Sequence, residues 1–172
     1  MLMIEEFAAT GETAEKSITL PFELRQKSRL RTRLDGGPDV GILLGRGRVL
    51  RAGVLLKAKD GTVIEIRAAP EAVSTIRCSD RLMLARGAYH LGNRHVPLQI
   101  GDGFLRYQRD YVLDDLVRQL GFDVVAETAP FEPEAGAYGA GHSHEHGHNH
   151  NHNHVDSHDH GHHHDHAQTA TK

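Results

Sequence analysis

Tryptophan is absent from this 172-residue chain, aromatic residues make up only 5% of it, and Cys78 is its one cysteine. A core must therefore be built from Leu, Ile, Val and Ala, and no internal disulfide can staple it. A lone thiol fits a reducing compartment, so a cytoplasmic protein is expected. No apolar run approaches the roughly 18 residues needed to cross a bilayer; the longest, Gly41-Ile42-Leu43-Leu44, suits a buried strand. The start, Met1-Leu2-Met3-Ile4-Glu5-Glu6, lacks the basic segment and apolar stretch of a secretory signal. Neither export nor a membrane partner is expected. His-Glu-x-x-His, a nucleophile elbow and a Gly-x-x-x-x-Gly-Lys-Ser/Thr loop are all missing, which leaves the familiar zinc, serine and nucleotide routes to catalysis unsupported. The expected class is a non-enzyme.

Charge of one sign is also scarce. The formal net charge is -3, and it is divided: residues 132–172 hold 6 acids and 1 base, leaving 17 acids and 19 bases in the remainder. Neither part carries a strong nucleic-acid or membrane field. Three arginines do line up in Arg29-Leu30-Arg31-Thr32-Arg33-Leu34, and such a strand could touch RNA. An RNA-binding sheet of ferredoxin-like type would present clustered aromatics, of the Lys/Arg-Gly-Phe/Tyr-Gly/Ala-Phe kind, and no such run exists. No nucleic-acid partner is expected.

The chain divides by period. From Ser17 to Ala68, short β-type segments alternate with turn chemistry: Ile18, Leu20 and Phe22 in one, Leu30, Thr32 and Leu34 against the three arginines in another. Asp35-Gly36-Gly37-Pro38 and Asp60-Gly61 supply hairpin-type turns, and Val63-Ile64-Glu65-Ile66 follows the second. Residues 1–70 thus read as a small all-β domain, with a hinge at Ala68-Ala69-Pro70-Glu71. Residues 71–131 change character. A strand at Val73-Ser74-Thr75-Ile76 leads to a helix capped at Ser79-Asp80 and ended by Gly92. A hairpin about Gly101-Asp102-Gly103 follows, then a helix opened by Asp110 with Val112, Leu113, Leu116, Val117 and Leu120 on one face, stopped by Gly121. Phe122-Asp123-Val124-Val125 closes the series. The order β-α-β-β-α-β is that of a ferredoxin-like unit, so the fold class expected is α+β. Residues 132–172 are rich in Gly, Asn, Asp and His, too poor in apolar groups to offset the cost of ordering, and are expected to form a disordered tail.

Histidine is what the sequence has in excess. Of 15 histidines, 13 fall in the tail: His142, His144, His146, His148, His150, His152 and His154, then His158, His160, His162, His163, His164 and His166. Imidazole with occasional carboxylate is a ligand set for Ni²⁺, Zn²⁺, Cu²⁺ or Co²⁺, and no secondary structure gains from this composition. An affinity tag is the bland rival, but the histidines are interspersed with Asn, Asp, Gly and Ser and are followed by Gln168-Thr169-Ala170-Thr171-Lys172. Storage, buffering and delivery all remain open from composition. Only His90 and His95 lie elsewhere. A single histidine between a helix and a strand, as His95 is, usually serves hydrogen bonding or the surface. In an isologous two-fold dimer, however, one histidine near the axis becomes a pair and thus half a metal site. His90 reads as an ordinary surface histidine. Cys78 has no CxxC partner and reads as a core or surface thiol.

The stretch Ala88-Tyr89-His90-Leu91-Gly92-Asn93-Arg94-His95-Val96-Pro97-Leu98-Gln99-Ile100, followed by Val112-Leu113-Asp114-Asp115-Leu116 and a His-rich end, closely resembles the UreE family of urease accessory proteins, nickel metallochaperones. The Leu-Arg-Thr-Arg-Leu strand and Leu43-Leu44-Gly45-Arg46-Gly47 look like that family's N-terminal β-domain. The resemblance implies a cytoplasmic homodimer that binds Ni²⁺, meets the urease accessory GTPase, and helps load apo-urease. By motif position, His95 corresponds to the family's interface nickel ligand, and the first domain would engage partners. One departure stands out. Many relatives carry a His-x-His pair before the last helix, where this chain has Arg109-Asp110-Tyr111, so the accessory surface site of those histidines is in doubt here.

Overall fold

The computed structural model describes residues 1–135; the expected tail beyond them lies outside the described residues. The first half contains strands β1 (Leu2–Phe7), β2 (Lys16–Leu20), β3 (Arg29–Arg33), β4 (Asp39–Leu43), β5 (Leu55–Ala58) and β6 (Val63–Ala68), with one helical turn, α1 (Phe22–Arg25), after β2. They form one sheet in the order β2-β6-β5-β1-β4-β3. Gly36 at φ 65° and Gly61 at φ 91° make the two turns expected from Asp35-Gly36-Gly37-Pro38 and Asp60-Gly61, where a side chain would be strained.

Three features of this half depart from the sequence reading. β1 lies between β4 and β5, inside the sheet, although its residues carried no strand signal; its partners are distant in sequence, and it runs parallel to β4. Phe22 does not continue the alternation of Ile18 and Leu20, because Pro21 ends β2 and opens α1. The expected hinge is a tight junction: Ala69 alone separates β6 from the next strand, and its N–H donates to Leu20 O at 2.9 Å.

The second half contains β7 (Pro70–Arg77), α2 (Arg81–Gly92), β8 (Leu98–Gly101), β9 (Phe104–Gln108), α3 (Tyr111–Gln119) and β10 (Val124–Pro130), in the β-α-β-β-α-β order read from the sequence. Its sheet runs β10-β7-β9-β8, antiparallel throughout. Both helices start at an aspartate. Asp80 accepts from the N–H groups of Leu82 and Met83, and Asp110 from those of Val112 and Leu113, which satisfies donors a helix start leaves unpaired. α3 buries Leu113 and Val117, one turn apart, against Ile76, Leu91, Leu105 and Phe122, whereas Val112 at its first turn stays half exposed. Inside this core the Tyr107 hydroxyl donates to Asp114 Oδ1 at 2.8 Å; burial first, and that carboxylate second, hold the phenol strongly in its protonated form.

A third cluster joins the halves. Phe22 meets Phe131 edge to face at 5.5 Å, with Val73 beneath them. Beside it Arg25 is fully buried and donates to the carbonyls of Leu20, Leu50 and Phe131 and to the Glu132 carboxylate. Arg51 donates to Glu132 and to Pro133 O, and the Glu134 N–H donates to Leu98 O. Residues 132–134, expected to belong to the free tail, are thus a strap fastened to both halves. Burial of an arginine demands such pairing, and the carboxylate that completes it comes from this strap.

Candidate metal centre

α2 ends against the core at buried Leu91, and β8 begins at buried Leu98. The connector between them is exposed, and its shape is set by three backbone bonds: Asn93 N–H to Tyr89 O, Arg94 N–H to Leu91 O, and His95 N–H to Gly92 O at 2.9 Å. The chain reverses at His95, which sits at φ 56°. It is the one described non-glycine residue in the left-handed region, a conformation that costs an L-residue on the order of 1–2 kcal/mol and is usually given to Gly or Asn at a helix end. Pro97 then holds Val96 extended into β8. An imidazole is therefore presented outward from a rigid corner, at a position where glycine would fold with less strain. Backbone strain of this kind concentrates at functional sites.

His95 borders a hollow of about 430 Å³. Val96, Leu98 and Ile100 of the second half, Phe22, Val49 and Arg51 of the first, and Glu134 and Ala135 line it. The described chain thus ends in the same depression that holds His95.

The other candidates fall elsewhere. His90 lies on the last turn of α2, half-buried, with its ring edge-on to Tyr89 at 5.3 Å. Cys78 is half-buried against the second core, and its backbone N–H bonds Gly103 O. Asp110 of Arg109-Asp110-Tyr111 is committed to capping α3, while Tyr111 is 80% exposed. The tail histidines from His142 to His166 lie outside the described residues. Among the described residues, no three His, Cys, Asp or Glu side chains come together as metal ligands. His95 is therefore brought together with no pair of other candidate ligands among the described residues.

Arg25, Arg51, Phe131 and Glu132 were not legible as a group. A lone aromatic before a polar tail was the sole trace of the strap, and nothing local in Phe-Glu-Leu-Arg marks Arg25 for complete burial.

Two family models account for the two halves: the UreE urease accessory protein N-terminal domain matches residues 4–69, and the C-terminal domain of the same family matches residues 71–167. The class is that of a two-domain urease accessory protein. A urease accessory protein UreE of Alkalilimnicola ehrlichii is 60% identical over 139 residues, covering 81% of this chain and 85% of the relative. One of Pseudomonas putida (strain W619) is 56% identical over 139 residues, with coverages of 80% and 86%, and one of Tolumonas auensis is 56% identical over 138 residues, with 80% and 72%. The chain belongs to the UreE family of urease accessory proteins. This is a family of accessory proteins and not of enzymes, and no helix of the described residues is long and apolar enough to cross a membrane.

Proposed function

We propose that this protein is a nickel-delivery chaperone of urease assembly. The tail histidines collect Ni²⁺, with Zn²⁺ and Cu²⁺ as competing ions. One ion is then held between the His95 imidazoles of two copies related by a two-fold axis. Ligand exchange passes it, with the urease accessory GTPase, to apo-urease in the cytoplasm. In this reading the second half is a ferredoxin-like dimerisation and metal-binding domain, the first half is the partner-binding domain, and the chain itself catalyses no reaction.

The observation that carries the reading is His95 itself: an exposed imidazole on a strained, well-bonded corner, with no second or third ligand gathered around it in the described chain. A lone ligand suits a site completed by symmetry, since a two-fold axis doubles it. A cargo site should also be incomplete within one protomer, because an ion enclosed by four or more fixed ligands exchanges slowly. The tail adds capacity, and the fold adds a place from which an ion can be taken.

The deciding experiment is activation of apo-urease at limiting nickel, with and without the full-length protein. Delivery predicts faster activation that depends on the accessory GTPase. An equal rate with and without the protein would leave only the rival reading, a nickel or zinc reservoir that releases ions alike to any chelator.

A further inference from the structure

The arginines of β3 are used neither by the core nor by the metal reading. Among the described residues, β3 is the last strand of its sheet and pairs only with β4. The ladder's register can be followed from its two ends: the Leu44 N–H donates to Ser28 O at 2.8 Å, and the Leu34 N–H donates to Pro38 O at 3.1 Å. Bonded pairs alternate along an antiparallel ladder, so Leu30 and Thr32 also turn their backbone groups toward β4. Arg29, Arg31 and Arg33 turn theirs toward the free edge. Their side chains share one face of the sheet and are exposed, while Leu30 packs on the core side.

Charged residues on an edge strand often serve only to keep sheets from joining edge to edge. Two observations go beyond that role. First, the arginines already grip a carboxylate: Arg31 Nη2 and Arg33 Nε both reach Asp39 at 3.0 Å, while Arg29 has no acidic partner among the described residues. Second, the face beside them is apolar. Opposite Arg31 stands Gly41, where a Cβ would meet Met3 Sδ at 2.8 Å, so the Met3 and Met1 side chains lie across that glycine; opposite Arg29 stands Leu43. Leu43 is 39% exposed and Met1 73%. Methionine and arginine together typify adaptable protein-binding surfaces, whereas an edge that merely repels needs no exposed apolar neighbours. The same face offers no aromatic ring opposite the arginines on which a base could stack, which disfavours RNA.

We propose that the free edge of β3 is a docking strand for an extended acidic segment of a partner protein. The segment adds as a seventh strand, its backbone paired with Arg29, Arg31 and Arg33. Carboxylates at every second position face the guanidinium groups, because cross-strand neighbours stand about 5 Å apart on one face. Its remaining side chains lie over the core side of the edge.

The test uses the full-length chain and an eight-residue peptide with Glu at every second position, alternating with Val and Thr. Amide exchange, followed by NMR, should show the Arg29, Arg31 and Arg33 amides slowed at least about tenfold at saturating peptide, with those of Leu30 and Thr32, already bonded, little changed. Arg29→Glu should weaken binding by more than about tenfold, and a peptide with Lys in place of Glu should not bind. Arg31→Thr and Arg31→Pro both remove the guanidinium, but only Pro removes the outward N–H, and proline is tolerated on an edge whose N–H faces away from the ladder. Arg31→Pro should therefore bind about tenfold more weakly than Arg31→Thr. Any of three results overturns the proposal: no binding by the wild-type chain, binding without amide protection or with the Thr and Pro variants equal, or tighter binding of a single-stranded RNA oligomer of the same length.

Discussion

His95 occupies a left-handed corner that the backbone favours giving to glycine. At φ 56° an L-residue gives up on the order of 1–2 kcal/mol, about what glycine would recover before its greater freedom in the unfolded chain is subtracted. His95→Gly should thus leave stability within about 0.5 kcal/mol of the parent, while β-branched His95→Val should lose about 1–2 kcal/mol. Urea unfolding of the three proteins checks the order, and a fully tolerated valine would mean that the corner is not held as described. His95→Gly also makes the cleaner ligand deletion. In a chain truncated after Ala135 it should abolish the tightest nickel site, one ion per dimer, whereas His90→Ala should not; calorimetric titration reads both. Retention of that ion by truncated His95→Gly would remove the two-fold site. In the sequence His95 was a candidate by its neighbours, but its backbone conformation was not readable there, since Asn93, Arg94 and His95 are all plausible at a helix end.

At the scale of elements, the strap fastens the end of the described chain to both halves. Glu132 completes the pairing of the fully buried Arg25, and Arg51 binds both Glu132 and Pro133. Glu132→Ala leaves the guanidinium with three carbonyls but with its charge uncompensated. A cost of about 2–3 kcal/mol is expected, reduced from that of a wholly enclosed pair because the Glu132 side chain is 26% exposed. Truncation after Phe131 should be comparably destabilising, and truncation after Ala135 nearly neutral. Denaturation midpoints of the two truncations make the comparison directly, and equal midpoints would show that the strap contributes nothing. Local pattern served well for α2, α3 and the β8–β9 hairpin, whose caps and apolar spacing lie within a few residues of one another. It failed for β1, whose place inside the sheet rests on parallel pairing with β4 across some 38 positions, and for Phe22, which Pro21 turned out of the alternation.

For the whole molecule, metal release and acid unfolding should separate. Imidazole binds nickel only when neutral and its ordinary pKa is about 6.5, so bound nickel should fall between roughly pH 7 and 5, as equilibrium dialysis would show. The folded state's titrating contacts lie lower. A hydrogen bond from Lys57 holds Glu12 below its usual range, bonds from Arg33 and Arg31 do so for Asp39, the Thr62 N–H for Asp60, and Thr75 and Arg106 for Glu127. For Asp35, burial pulls the other way but is outweighed by Ser17 and Thr19. Each of these carboxyls binds its proton more weakly when folded than when unfolded. Their contribution is therefore complete above the unfolded pKa, near 4, and is lost as pH falls below it. Circular dichroism should show a folded chain at pH 5 from which most nickel has gone; concurrent loss of fold and metal would contradict this.

By itself the sequence determined the β-then-αβ division, the two aspartate-capped helices, the concentration of histidine beyond Gly141 and the family to which the chain belongs. Each of these is written in composition, in short-range period or in a contiguous motif. Only the tertiary structure decided that β1 is an interior strand, that Arg25 is buried beside residues 131–132, that among the described residues the arginine strand ends the first sheet, and that His95 is exposed at a left-handed corner. These depend on residues far apart in the chain being brought together. The free energy that selects them, from burial and the pairing of charges away from water, belongs to the assembled core and not to any local segment.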